Sequence, residues 1–171
     1  GKLVGAAVGA RLGRALLELG GNNAIIITEN ANLDMALRAV IFGAAGTCGQ
    51  RCTTTRRIIV QDSIYGKFKN MLVSAYPQLN IGHPLSNGTL VGPLIDKDAV
   101  KNYQTALEQL KQQGGTVLVG GEVLSGDGYE SGCYVKPTIA EAQNHYPIVQ
   151  HETFAPILYL LKYSTIDEAI T

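Results

Sequence analysis

The chain has 171 residues, of which 46% are apolar and only 6% aromatic, with 20 glycines and no tryptophan. That describes one domain of about 100 to 200 residues, or a large part of one, of the α/β type in which small residues let helices lie close to a sheet, and it excludes a disordered chain. Fourteen basic side chains cancel fourteen acidic ones, which argues against a nucleic-acid backbone or an anionic membrane surface as partner and for a small-molecule ligand.

No apolar run approaches the roughly 20 residues needed to span a bilayer, and no long apolar core of a signal peptide opens the chain, so it is read as soluble and cytoplasmic. Cys48, Cys52 and Cys133 are an odd number without framework spacing, which fits a reducing compartment better than structural disulfides.

In chain order, residues 3–13 read as the end of a helix, with Val4, Val8 and Leu12 on one side and Gly5, Gly9 and Gly13 at four-residue spacing. Residues 15–19 read as a short apolar strand carrying one acid, Glu18, closed by Gly20-Gly21. Residues 24–28 form a second strand whose continuous Ile run suits a sheet covered on both faces. A helix follows from Leu33 through Leu37, Val40, Ile41, Ala44 and Cys48 with Asn32 as its N-cap, giving out near residues 46–49. Residues 57–60 are a strand. Ile64, Phe68, Met71, Leu72 and Ala75 mark the next amphipathic helix, stopped by Pro77.

After a loop over residues 81–94, Asp96 caps a helix through Val100, Tyr103, Leu107 and Leu110, which ends at Gly114-Gly115 before a strand at 116–119. Short strands are expected near Tyr134-Val135 and over 157–161. Thr165 to Glu168 has the form of a capping box that announces a last helix just before Thr171. That helix is too short to be whole and the first residues already lie inside one, so truncation at both ends is expected.

Among residues able to carry chemistry, Cys52 follows Gly49-Gln50-Arg51 beyond the predicted helix. A thiol in a glycine-relieved turn beside a cation has the setting of a nucleophile, although these four residues alone fit a buried structural cysteine equally well. Cys48 continues an apolar helix face and is expected in the core. No Cys or His pair stands at a metal-ligand spacing, so no metal is expected. Glu18 lies in an apolar strand, where a carboxylate is costly unless it has a partner or a task such as general base; a strand-edge acid or a pair with Arg14 is the structural alternative. In residues 151–156, Glu152 precedes Phe154 by two positions, so that in extended chain both project to one side. An acid so placed can meet ribose hydroxyls while the ring lies against a flat heterocycle, or the segment is simply a loop joining strands. His83, His145 and His151 carry no further signature of a Cys/His hydrolase.

Taken together, Leu17-Glu18-Leu19-Gly20-Gly21, Gly49-Gln50-Arg51-Cys52 and Glu152-Thr153-Phe154-Ala155-Pro156 resemble, in order and spacing, three signatures of the aldehyde dehydrogenase superfamily. The separations are 34 residues from Glu18 to Cys52 and 100 from Cys52 to Glu152. The finer pattern of residues 18–24 with 50–54 is similar to the antiquitin branch, the α-aminoadipic semialdehyde dehydrogenases. The resemblance implies an α/β catalytic domain with a parallel-rich sheet flanked by helices, residues 19–171, preceded by the tail of a Rossmann-like NAD(P)-binding domain, residues 1–18. It implies oxidation of an aldehyde to a carboxylic acid through a thiohemiacetal and a thioester on Cys52, with the Cys52 backbone N–H among the oxyanion donors. Glu18 would be the base that activates water, and Glu152 and Phe154 would hold the nicotinamide end of NAD or NADP, with NAD favoured. It further implies a homodimer or homotetramer of the whole-length protein, and no activity for these residues alone. A noncatalytic binding or assembly module derived from the same fold is the rival expectation.

Overall fold

The computed structural model describes residues 1–170. Its sheet is built largely from segments rich in β-branched residues, which suit a pleated, half-buried surface: β1 (Asn23–Ile27), β2 (Thr55–Gln61), β3 (Thr116–Val119), β4 (Thr138–Glu141) and β5 (Ile157–Tyr163). The helices are α1 (Lys2–Ala10), α2 (Leu33–Ala45), α3 (Asp62–Ala75), α4 (Lys97–Gln112), α5 (Pro147–Gln150) and α6 (Ile166–Ile170). In space the strands run β1-β2-β5-β4-β3. The first four of these are mutually parallel and only β3 is antiparallel, so the parallel-rich α/β sheet is present.

The alternation of side chains along β5 divides the core in two. Leu158 and Leu160 join Val40 and Ala44 of α2 and Phe68 and Leu72 of α3 on one face. Ile157, Tyr159 and Leu161 join Val100, Tyr103, Leu107 and Leu110 of α4 and Ile148 and Val149 of α5 on the other. The sheet is therefore the middle of three layers, and β5, the last of the described strands, lies at its centre.

The helix starts follow the sequence. Asn32 Oδ1 accepts the Met35 N–H at 3.0 Å and Asp96 Oδ1 accepts the Ala99 N–H at 2.8 Å, each satisfying an orphan donor of the first turn. At the last helix Thr165 Oγ1 accepts the Glu168 N–H at 3.3 Å, while Glu168 Oε2 reaches back to the Ser164 N–H at 2.9 Å.

Three expectations are corrected. Residues 15–19 are not a strand: no described segment lies alongside to complete a ladder, and Leu16, Leu17 and Leu19 are exposed. The Ile run of β1 is not covered on both faces, because β1 is the sheet edge and Ile26 is exposed. Tyr134-Val135 contributes only an isolated bridge between Val135 and Val123, and the strand of that region is β4, a few residues on. No described helix is long and apolar enough to cross a membrane.

Candidate active site

In a parallel sheet the segments that lead into neighbouring strands lie on one edge, spaced by the roughly 4.8 Å between strands. β1, β2 and β5 are consecutive and parallel, so the residues just before each must converge. Those entry segments hold Gly20-Gly21, residues 49–54 and residues 151–156. The three motifs, dispersed over the sequence, are thus gathered at the amino ends of three adjacent strands.

Specific bonds lock them together. The Gly21 N–H donates to Glu152 Oε1 at 3.0 Å. Asn23 Nδ2 donates to the carbonyls of Cys52 and Thr54 at 2.7 and 3.1 Å, tying the start of β1 to the cysteine turn. Asn22 Nδ2 donates to the Val149 carbonyl at 2.8 Å, which fixes the end of α5 just ahead of Glu152. At Gly49 only glycine fits, and Gly20 lies directly against a side chain. A Cβ on Gly20 would overlap the Glu152 carboxylate, and one on Gly49, whose φ is +68°, would overlap the backbone of Ala155.

The cysteine loop begins where α2 ends. A 3₁₀ turn over Gly46–Gly49 places Thr47 and Cys48 at φ of 55° and 52°, left-handed conformations for residues with side chains. Such residues cost about 1–2 kcal/mol each and persist where the surroundings over-determine them. Here Gln50 does so: its Nε2 donates to the Thr47 and Pro93 carbonyls, both at 3.3 Å, and its Oε1 accepts the Ile95 N–H at 2.9 Å. Arg51 donates to the Phe42 carbonyl at 3.1 Å, with its guanidinium 5.2 Å from the Phe42 ring centre. The Arg51 N–H bonds Thr54 Oγ1 at 3.1 Å and the Thr54 N–H bonds the Arg51 carbonyl at 3.0 Å, which closes a tight turn with Cys52 inside it and exposed.

Cys48 does not continue the α2 face, since the helix stops at Ala45, but the turn still delivers it to the core beside Val91 and Leu94. Burial pushes its thiol up to about 12. Cys133 is half-buried, and all three cysteines are unpaired. Among the described residues no hydrogen bond joins Cys52 to a histidine. His83 Nδ1 accepts the Leu85 N–H, and His145 lies edge-on to Tyr146.

Glu18 is not the buried strand carboxylate the sequence suggests. It is exposed in an irregular segment, and no described side chain bonds it or contacts it as an ion pair. Glu152 and Phe154 do stand together at the entry to β5. The Glu152 carboxylate is partly buried, with Oε1 engaged and no described donor on Oε2, and the Phe154 ring is half-exposed.

Between them lies a residue the sequence analysis did not single out. Arg56, in β2, is fully buried. It donates to Glu152 Oε1 at 3.1 Å, to the Arg51 carbonyl at 3.2 Å and to the Gly49 carbonyl at 3.5 Å, and its guanidinium carbon is 5.3 Å from the Phe154 ring centre. Burial lowers its pKa, opposed first by the hydrogen bond and charge of Glu152 and then by the charges of Cys52 and Tyr159. The signal was a pair of cations, Arg56-Arg57, at the start of the strand that follows the cysteine.

The fold is a three-layer α/β sheet structure that gathers an exposed, tightly held thiol and a carboxylate–ring pair at its strand entries. The chain belongs to the aldehyde dehydrogenase family: the profile described as "Aldehyde dehydrogenase family" matches residues 1–171. It is similar to aldehyde dehydrogenase family 7 member A1 of Brassica napus, 47% identical over 163 residues that cover 95% of this chain and 32% of that protein. It is also similar to alpha-aminoadipic semialdehyde dehydrogenase of Mus musculus, 47% identical over 169 residues, 98% of this chain and 31% of that one. Among solved structures, HpcC from Thermus thermophilus superposes with a TM-score of 0.94 at 33% identity, over 99% of this chain and 34% of its own. Betaine aldehyde dehydrogenase from Staphylococcus aureus in complex with NAD+ does so at 0.95 and 29% identity, over 99% and 34%. The chain thus spans about a third of the length of these relatives.

Proposed function

We propose that the protein carrying this chain oxidises an aldehyde to a carboxylic acid with NAD, or less favourably NADP, using Cys52 as nucleophile. The observation that supports this most is the convergence of the three strand entries, which sets the exposed thiol turn and the Glu152–Phe154 pair on one edge of the sheet.

The residues present fit a nicotinamide cofactor. Glu152 keeps one carboxylate oxygen without a described donor, as a ribose diol requires, and Phe154 offers a half-exposed ring face two positions away. When bound, the cofactor supplies the acceptor for the two electrons that leave the aldehyde carbon. The chain's own residues do the remainder. Cys52 Sγ adds to the carbonyl carbon and forms a thiohemiacetal, whose oxyanion is met by the Cys52 backbone N–H. Oxidation of that adduct leaves a thioester on Sγ. Glu18 then takes a proton from water, whose oxygen attacks the acyl carbon and releases the acid and the thiol. Its exposed place just ahead of Gly20-Gly21 leaves that carboxylate open to water.

We assign residues 1–18 to the tail of the cofactor domain and 19–171 to the catalytic domain. The unburied α1 and the exposed leucines of residues 12–19 support a surface meant for another part of the protein. Activity then belongs to the whole-length protein, a homodimer or homotetramer of the cytoplasm. The relatives named for alpha-aminoadipic semialdehyde make that semialdehyde the substrate we favour.

In the whole-length protein, Cys52→Ala should abolish aldehyde-dependent NADH production, and Cys52 should be alkylated faster than Cys48 and Cys133. Unchanged NADH production by the Cys52→Ala protein would refute the assignment.

A further inference from the structure

The two halves of the site are joined by a side chain to which the chemistry above assigns no step. Arg56 draws acceptors from both: the Gly49 and Arg51 carbonyls belong to the loop that presents Cys52, and Glu152 Oε1 belongs to the entry of β5, 96 residues further along. A guanidinium is a rigid planar fork, so acceptors that share it are held at a set separation. We propose that Arg56 is a positioning residue of this site, the side chain that fixes the nucleophile loop against the carboxylate that meets the cofactor; this rests on the reading of Glu152 given above.

Stability alone does not account for such a group. A buried ion pair roughly breaks even against well-packed apolar residues, and Arg56 also carries an Nε–H with no described partner. What the arrangement does secure is orientation. Glu152 Oε1 is spent on two donors, the Gly21 N–H and Arg56, and the Gly20 backbone presses against Oε2 too closely for any Cβ. Those contacts leave the carboxylate one orientation. The Phe154 ring, beside the same guanidinium, is held with it. Loss of Arg56 would free the carboxylate to rotate and take a donor from each of two loop carbonyls, and a shift of about 1 Å at a reacting group is worth about 10²-fold.

The test uses the whole-length enzyme with Arg56→Met, Arg56→Lys, Glu152→Gln and the double variant Arg56→Met/Glu152→Gln. Kinetics are read beside melting temperature. Arg56→Met should raise the KM for NAD about tenfold or more and lower kcat. Arg56→Lys, which keeps the charge but not the fork, should fall between it and the parent. In the double variant the Arg56 change should add little to the KM increase already caused by Glu152→Gln, because one acts through the other. A folded Arg56→Met enzyme with parental KM and kcat, or additive KM effects in the double variant, would overturn the proposal. If Arg56→Met does not fold, Arg56→Lys decides: a several-fold higher KM supports positioning, and a lower melting temperature with parental KM refutes it. Separately, an unchanged KM in Glu152→Gln together with full activity in Cys52→Ala would overturn the underlying site assignment, and this proposal with it.

Discussion

Gly49→Ala isolates the contact between the cysteine loop and the entry of β5. Gly49 has φ of +68°, and a Cβ there would overlap the carbonyl of Ala155 and the nitrogen of Pro156. The left-handed conformation costs a residue with a side chain about 1–2 kcal/mol. Relieving the overlap means moving backbone rather than a flexible tip, and overpacking of that kind costs about 1–3 kcal/mol. The expected destabilisation is about 2–5 kcal/mol against a total of about 5–15 for a protein domain. Chemical denaturation gives the stability, and the rate of Cys52 alkylation by iodoacetamide reports the loop, which should present the thiol differently once Ala155 is pushed away. A change within about 0.5 kcal/mol of the parent, the range of an ordinary surface substitution, with unaltered alkylation, would refute the close approach of the two segments.

Gly66→Ala tests the opposite case. Gly66 lies inside α3 with nothing within 4 Å of an added Cβ, so alanine should stabilise by about 0.5–1 kcal/mol, and a lower denaturation midpoint would contradict that. Alkaline titration tests the core. Burial raises Cys48 from 9.0 to about 12 and Tyr103 from 10.0 to about 12. Both folded values lie above the unfolded ones, so their stability is full below about pH 9 and is lost as pH rises towards 12. For Cys48 the linkage amounts to about 4 kcal/mol over that window. Denaturation midpoints should therefore fall as pH rises from about 9 towards 12 and fall less steeply in Cys48→Ala; a flat profile would refute it.

What was legible in the sequence is what local chemistry decides. The caps at Asn32 and Asp96 and the apolar spacing of α3 and α4 act within a few residues, and those elements form where they are expected. Residues 15–19 were misread because a short apolar run fits a strand as well as an extended segment, and only a partner strand distinguishes them. Arg56 escaped for a related reason. A charged residue in β2 looks ordinary until Glu152 and two loop carbonyls are found around it, and those meet it only through the β1-β2-β5 order. The three motifs were readable one by one, whereas their meeting at the strand entries is a property of topology.

The position of β5 also sets the order in which the site can come into being. The strand at the centre of the sheet is the last of the five described strands along the chain, and Cys52 leaves the ribosome 100 residues ahead of Glu152. At about 5–20 residues per second that is an interval of about 5–20 s. During it α2 and β2 exist without the strand that covers them, and the Cys52 loop lacks the Arg56–Glu152 ion pair. The nascent protein therefore passes through a period in which the sheet is open to mispairing, a hazard that ends with the insertion of residues 157–163 between β2 and β4.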